Sequence, residues 1–430
     1  MNIPSNILLG REKRSKLIEE YLYSNETCVS IKANMPGAEK NNYLSYLLIN
    51  AFSFIIKSFP ASTYDYRQND DGPFVLILLN GYNPVLIKKQ MVSIEDHHEL
   101  GRFIDLDVYD KEGTITFREQ KRKCIICDNQ ASVCIRNHNH SNNEIMGIIE
   151  KKVKAFYEKN ISQILNQSIM EELNLDPKFG LVTPYTSGSH PDMNYELMIK
   201  AKEAIIPYLM EMFYETFKNM KENDLVINLQ NIGKSAETAM FKATKGINAY
   251  KGLIFNLGLM ISSIGYKLSR YEKRTIFEIS QSFAKQLFLN YDYSSKSYGD
   301  KAFLEHSIKG VRGEALSGFS TVKKALNKLV DLSSYSKIKT LIYLIINSED
   351  TSMYQRAGSF ERYLSVKKMF AELDLNNAKD IKRINDYCIA NNLSFGGSAD
   401  LLVLTIFIKI FNEKHLFYEG VINREKNSNF

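Results

Sequence analysis

RNHNHSNNEIMGIIEKKVKAFYEKNISQILNQSIMEEL, Arg136 to Leu173, is the stretch in which the sequence changes character. Its opening, Arg136 to Glu144, is polar, asparagine-rich and without period, as a connecting segment is. From Ile145 onward apolar residues recur every three or four positions, the spacing of one helix face. The same spacing runs through MNYELMIKAKEAIIPYLMEMFYETFKNM (Met193 to Met220) and nearly every later segment, and strand candidates almost vanish. Upstream the periods are mixed. NNYLSYLLINAFSFIIKSF (Asn41 to Phe59) reads as a buried helix, whereas FVLILL, PVLIKKQMVSI, FIDLDVY and TITFR are short β-rich runs between Gly, Pro, Asn and Asp. The expected fold is an α+β N-terminal domain, residues 1–143, followed by a larger all-α domain, residues 144–430.

Composition agrees with a globular chain. At 430 residues the chain is too long for one ordinary core, and 44% apolar with 24% charged residues is the balance of a soluble protein. The formal net charge of +6 is mild. Runs such as REKRSK (Arg11 to Lys16) and KRK (Lys121 to Lys123) are short, so they read as solvated faces first and phosphate sites second, and a nucleic-acid partner is not expected. The N-terminus shows no basic region followed by an apolar core, so no secretory signal is expected. LIFNLGLMISSIGY (Leu253 to Tyr266) and LLVLTIFIKIF (Leu401 to Phe411) fall short of the ~20 residues of a membrane span and read as buried helices. The five cysteines are odd in number, and three crowd between Cys124 and Cys134. That usage suits a reducing cytoplasm better than a disulfide framework.

The helical half carries five glycine-bearing junctions: PKFGLVTPYTSGSHPDMN, TKGINAYKG, GVRGEALSGFS, SEDTSMYQRAGS and SFGGSAD. Each pairs glycine with a charged or imidazole side chain. Glycine lets backbone approach an anion, helix N-termini aim N–H groups at it, and Arg or Lys supplies charge. Lys178, Lys251, Arg312 and Arg356 fit that role, and the acids Glu314, Asp400, Asp350 and Asp192 could hold Mg²⁺ or assist a nucleophile. Singly, such residues are more often helix caps, and His190 alone is more often structural. Together they point to one polyphosphate site. No Walker sequence and no strand-linked GxGxxG occurs, which argues against P-loop and Rossmann enzymes.

In the first half, Asp105 and Asp107 of FIDLDVY share a face if the run is a strand, offering two hard oxygen ligands for Mg²⁺, with Arg102 nearby for phosphate. Cys124, Cys127 and Cys134, followed by His140, make a candidate tetrahedral Zn²⁺ site, with buried reduced thiols as the competing reading.

These motifs carry a resemblance. PKFGLV…SGSHPDM, TKGINAYKGLIFNLGL, GVRGEALSGFSTV, EDTSMYQRAG and LSFGGSADLL resemble, in order and spacing, the triphosphoribosyl-dephospho-CoA synthase family. LLGREKR, MPGAEK, LGRFIDLDV and RKCIICDNQASVC resemble the apo-citrate lyase phosphoribosyl-dephospho-CoA transferase family. The resemblance implies a fusion with two activities. The helical domain would move the triphosphoribosyl part of ATP onto the 2′-hydroxyl of 3′-dephospho-CoA, releasing adenine. The first domain would pass the product to a serine of the citrate lyase acyl carrier subunit, or a malonate decarboxylase carrier, releasing pyrophosphate.

It further implies Glu314 and then Asp400 as the carboxylates facing the sugar's developing positive charge, and Asp105 and Asp107 as Mg²⁺ ligands. Arg11, Lys40, Arg102, Lys178, His190, Asn248, Lys251, Gly310, Arg312, Gly313, Arg356, Gly396, Gly397 and Ser398 would bind substrate. The chain departs from the synthase pattern at Thr183, Tyr250, Glu349, Ser352, Gln355 and Phe395. A helical half kept as a scaffold beside an active transferase, or a carrier-binding accessory factor, are therefore the competing readings.

Overall fold

The computed structural model describes residues 4–59, 62–113, 121–289 and 298–416. The chain divides into two compact units, one of Met1–Asn160 with Lys267–Lys273 and Lys414–Phe430, the other of Ile161–Tyr266 with Arg274–Glu413.

The first unit is built on strands β1 (Thr27–Ala33), β2 (Thr63–Asn69), β3 (Gly72–Leu79) and β4 (Ile104–Tyr109), with helices α1 (Ser5–Ser24), α2 (Tyr43–Ala51) and α3 (Pro84–His97). The strands form one sheet in the order β2-β3-β1-β4, every neighbour antiparallel. Side chains alternate across β4: Ile104, Leu106 and Val108 are buried, while Asp105, Asp107 and Tyr109 are half-buried on the other face. Register carries that second face across the sheet, with Lys32 opposite Asp105, Ser30 opposite Asp107 and Cys28 opposite Tyr109. Ile18 and Leu22 of α1 cover part of it, packed with Cys28, Phe74 and Leu76. Helices α2 and α3 pack on β1, β3 and β4.

The PVLIKKQMVSI run is helix α3, not the β-rich segment its composition suggests. Asn83 accepts hydrogen bonds from the N–H groups of Val85 (2.9 Å) and Leu86 (3.2 Å), and Pro84 occupies the first helical position, where its fixed φ suits a helix start. The buried residues then fall at Ile87, Lys88, Met91 and Glu95, one helical face. Asn41 to Phe59 is helical as expected but breaks after Ala51 into a 3₁₀ turn, Ser53–Ser58. TITFR lies outside the described residues. The short helix α4 (Ala131–Arg136) and the start of α5 (Asn142–Leu173) complete the unit.

The second unit is helical throughout its described residues: the end of α5, then α6 (Tyr195–Glu215), α7 (Glu222–Ala243), α8 (Lys251–Leu268), α9 (Ile276–Phe288), α10 (Tyr298–His306), α11 (Gly310–Leu316), α12 (Ser320–Leu326), α13 (Ser334–Asn347), α14 (Thr351–Ala357), α15 (Phe360–Ala371), α16 (Ala378–Ala390) and α17 (Gly396–Lys414). The two long apolar stretches, Leu253 to Tyr266 and Leu401 to Phe411, lie in the buried helices α8 and α17. Gly265 lets α8 approach α6, since a Cβ there would lie 2.8 Å from the Phe213 carbonyl oxygen. Among the described residues no helix is long and apolar enough to cross a membrane.

One carboxylate pins two helix starts. Asp350 accepts from the N–H groups of Ser352 and Met353 (both 3.0 Å) at the head of α14, and from the N–H (2.8 Å) and hydroxyl (3.0 Å) of Ser398 in the first turn of α17. Removing it strands four donors, three of them backbone or side-chain groups of fully buried residues. Asp350→Ala is therefore expected to cost on the order of 3 kcal/mol. Differential scanning calorimetry would show the helical unit melting several degrees lower, and an unchanged midpoint would contradict this role.

Candidate active sites

In the helical unit the glycine junctions meet in space. Gly310 has φ of +56°, and a Cβ there would press on Thr351 at 2.8 Å. Gly397 lies against the Asp350 carboxylate, where a Cβ would stand 3.0 Å from Oδ1, and Gly252 lies against Asp400 Oδ2. Segments from α8, α11, α14 and α17 thus converge, and only glycine admits such approach. A cavity of about 490 Å³ opens beside them, lined by Lys251, Gly252, Val311 and Arg312 on this side and by Phe255 and Phe288 among its apolar residues. Val311 also borders a small recess lined by Gly310, Glu314, Glu349 and Gly397. The main cavity has the volume of a nucleotide-sized ligand site.

Charges in this region are constrained. Burial raises the Glu314 carboxyl above its ordinary value and nearby Glu349 adds to this, partly offset by the hydroxyl and N–H of Thr321. Burial, then Asp350 and Glu172, raises Asp400 much further. Arg312 is held by buried Asp300 at 2.5 Å, Lys178 by Glu172 at 2.9 Å, and exposed Lys251 by Glu237 at 3.1 Å. Asn248 caps α8, its Oδ1 accepting from Lys251 N at 3.2 Å. Gly313 packs on the Lys309 side chain. Asp350, a candidate Mg²⁺ ligand on sequence, has both oxygens taken by helix N–H and hydroxyl donors, so the geometry makes it a cap.

The remaining junction, PKFGLVTPYTSGSHPDMN, is tied to α14 through Arg356. Arg356 donates to the carbonyls of Ser189 (2.9 Å) and Asn392 (3.0 Å), and its second nitrogen to His190 Nδ1 (3.0 Å). The imidazole proton therefore sits on Nε2, which donates to Ser394 Oγ at 2.8 Å. Burial, then the Arg356 charge, lowers His190 to about 4. Arg356 is thus chiefly a loop tie, while Asp192 stands exposed nearby.

In the first unit Asp105 and Asp107 do share one face of β4, as the alternation implies. Asp105 meets Arg122 at 2.6 Å, and Asp107 lies 3.8 Å from Lys88. Burial, then the neighbouring Asp105, raises Asp107. On the same face a fully buried carboxylate, Asp71, is surrounded by Arg11 (3.2 Å), Arg14 (2.6 Å) and Lys32. Burial alone would raise Asp71, but hydrogen bonds from Lys32 and Arg14 outweigh it and lower it. Burial, then the Arg14 charge, lowers Lys32 to about 8. Lys40, also lowered by burial, feels Asp71, Arg11 and Asp105. Three cations around one anion leave a surplus of positive charge next to the paired aspartates.

The sequence matches the ATP:dephospho-CoA triphosphoribosyl transferase family over residues 158–417 and the apo-citrate lyase phosphoribosyl-dephospho-CoA transferase family over residues 4–156. Through residues 158–417 the chain belongs to the first of these families, and its residues 4–156, which come first along the chain, match the second. It is 29% identical to Protein CitXG of Leuconostoc mesenteroides subsp. cremoris, over 94% of this chain and 96% of that protein. Protein CitXG of Haemophilus influenzae is 27% identical, over 94% of this chain and 95% of its own length. The 2-(5''-triphosphoribosyl)-3'-dephosphocoenzyme-A synthase of Haemophilus ducreyi is 30% identical over 66% of this chain and 98% of its own length.

In the unit matching the apo-citrate lyase transferase family, the sequence reading did not single out Lys32, Asp71, Glu95 or Arg122. Arg122 bridges Asp105 and buried Glu95, and Glu95 also accepts from Leu106 N at 2.9 Å. Strand register brings Lys32 opposite Asp105, a relation visible only once pairing is known. Arg102 instead donates to the Lys123 carbonyl. Cys124, Cys127, Cys134 and His140 do come together, their ligand atoms all within 4.8 Å of one another.

His190 gives the triphosphoribosyl transferase unit a pH signature. Its folded value of about 4 lies below the ordinary 6.5, so its contribution to stability is complete above about pH 6.5 and is lost as pH falls toward 4. Between those limits the melting temperature of the wild type is expected to fall more steeply than that of His190→Asn. Parallel slopes would contradict the neutral, Arg356-bonded imidazole.

Proposed function

We propose that the chain both builds and attaches the prosthetic group of citrate lyase. ATP and 3′-dephospho-CoA give 2′-(5″-triphosphoribosyl)-3′-dephospho-CoA and adenine, and the product is then transferred to a serine of the apo acyl carrier subunit with release of pyrophosphate. What carries this reading is the end-to-end match of both families and of the CitXG relatives to one chain. The same coverage disfavours a helical half kept only as a scaffold. We assign the attachment step to residues 1–143 and the synthesis step to residues 144–430, in a cytoplasmic protein.

In the synthesis step the bond between C1 of the ATP ribose and adenine breaks, and one forms from C1 to the 2′-oxygen of dephospho-CoA. Positive charge develops on the sugar, and a carboxylate facing it lowers the barrier. Glu314, in the recess beside the cavity, is our first assignment for that group. Asp400, whose carboxyl is shifted toward its protonated form by burial and then by Asp350 and Glu172, is our assignment for proton delivery to departing adenine. The hydroxyl's proton balances the one adenine takes away. Lys251 and Arg312 line the cavity and would receive the triphosphate, with Gly252 of α8 on the same wall. Asp192 is the remaining candidate for Mg²⁺ on this unit.

In the attachment step the serine oxygen attacks the α-phosphorus, and the bond to the pyrophosphate oxygen breaks. Arg11, Arg14, Lys32 and Lys40 supply the surplus charge for the phosphates. Asp105 and Asp107 repel one another across a partly buried face, a pair that a divalent cation would relieve. Mg²⁺ bound there would neutralise charge on the pyrophosphate as it leaves.

Two substitutions separate the steps. Glu314→Gln is expected to slow adenine release by roughly 10²-fold or more while ATP affinity changes only a few-fold, as chromatography and calorimetric titration would show. Full adenine release by this variant would remove Glu314 from the chemistry. Asp105→Asn is expected to abolish pyrophosphate release from the preformed donor and apo carrier while adenine release continues at the wild-type rate. Retained transfer would remove Asp105 from the mechanism.

A further inference from the structure

Residues 121–140 fold with almost no core of their own: among them only Cys134 is buried, and Val133 and Ile135 are 42% and 72% exposed. So short a segment needs a staple. Hydrogen bonds shape it into a tight knuckle, Cys124 N to Asn129 O at 2.7 Å and Ala131 N to Arg122 O at 2.9 Å, followed by the brief helix α4. The knuckle presents Cys124 and Cys127, the helix presents Cys134, and His140 closes the set.

The spacing of the ligand atoms matches a metal shell rather than a disulfide. Cys127 and Cys134 sulfurs stand 3.5 Å apart, and His140 Nε2 lies 3.4 Å from Cys127 Sγ. A disulfide would need about 2.05 Å, and all five cysteines are free. Ligands at the corners of a tetrahedron with ordinary zinc bond lengths are about 3.8 Å apart for two sulfurs and about 3.6 Å for sulfur and nitrogen. The Ile126 N–H donates to Cys124 Sγ at 3.4 Å and the Asn139 amide to Cys134 Sγ at 3.7 Å, contacts that orient thiolate ligands.

We propose that Cys124, Cys127, Cys134 and His140 form a closed, structural zinc site that fastens Arg122 beside Asp105. Three thiolates and one imidazole select Zn²⁺, and four protein ligands leave no open position for catalysis. Arg122 lies two residues before the first ligand and pairs with both Asp105 and Glu95, while Lys123 accepts from Arg102. Zinc therefore holds two arginines on the aspartate face. The positioning role rests on the assignment of Asp105 to attachment; the metal site does not.

The test uses the full chain purified without chelator. Inductively coupled plasma mass spectrometry is expected to find about one zinc per chain, and exchange with Co²⁺ to give the visible bands of a tetrahedral thiolate site. No retained zinc together with no cobalt spectrum would overturn the site. His140→Ala, which keeps the thiols, is expected to lose zinc to a competing chelator faster than wild type, and equal retention would remove His140 from the shell. Zinc stripping, or Cys127→Ser, is expected to lower carrier labelling roughly tenfold or more while adenine release is unchanged. Wild-type labelling by zinc-free protein would overturn the positioning role with the site intact, whereas failure of the Asp105 assignment shows separately as full labelling by Asp105→Asn.

Discussion

The arrangement of the helical unit depends on one buried carboxylate. Asp350 takes hydrogen bonds from the first turns of α14 and α17 together, so two helix N-termini point at a single negative charge. Both helix dipoles favour that charge, and the bonds to it are the strong, charge-assisted kind. With the two helix starts fixed, Gly310 packs on Thr351, Gly397 on Asp350 itself, and Asp400 comes to rest against Gly252. The glycines are the counterpart of the carboxylate: a side chain at any of these positions would force apart what Asp350 holds together.

The sheet unit uses a buried carboxylate differently. Asp71 gathers Arg11, Arg14 and Lys32 from a helix and a strand, holding like charges at a spacing they would not otherwise keep. One anion cannot neutralise three cations, so the assembly is stable yet still positive. In the proposed function such a surplus would draw polyphosphate, and Asp105 and Asp107 on the same face would hold the metal that accompanies it. There the two units would handle triphosphate-bearing substrates differently, through a glycine-bearing cavity in one and a cationic sheet face in the other.

Much of this was legible in the sequence where local physics decides. The change from mixed to helical period at Ile145 falls at the start of the long helix α5, after which the described residues form no strand, and period two alone puts Asp105 and Asp107 on one face. The glycine junctions announce close approach before any contact is known. What was not legible depends on pairing between distant residues. Lys32 reaches Asp105 through strand register, Asp71 meets Arg14 across 57 positions, and Ser398 meets Asp350 across 48. PVLIKKQMVSI misleads by composition, because the Asn83 cap and Pro84 at the first turn outweigh its β-branched residues. Arg122 looks like one more solvated charge in KRK until the knuckle behind it is seen.

The central claim is that one chain performs both steps in succession, and the acyl carrier reports on both at once. Apo carrier incubated with this protein, ATP, Mg²⁺ and 3′-dephospho-CoA, then weighed by intact-protein mass spectrometry, should gain the phosphoribosyl-dephospho-CoA group on one serine, with adenine and pyrophosphate released in equal amounts. A carrier of unchanged mass, when the same carrier is modified on addition of preformed donor, would contradict the synthesis half of the account. A carrier that stays unmodified even with preformed donor would contradict the attachment half.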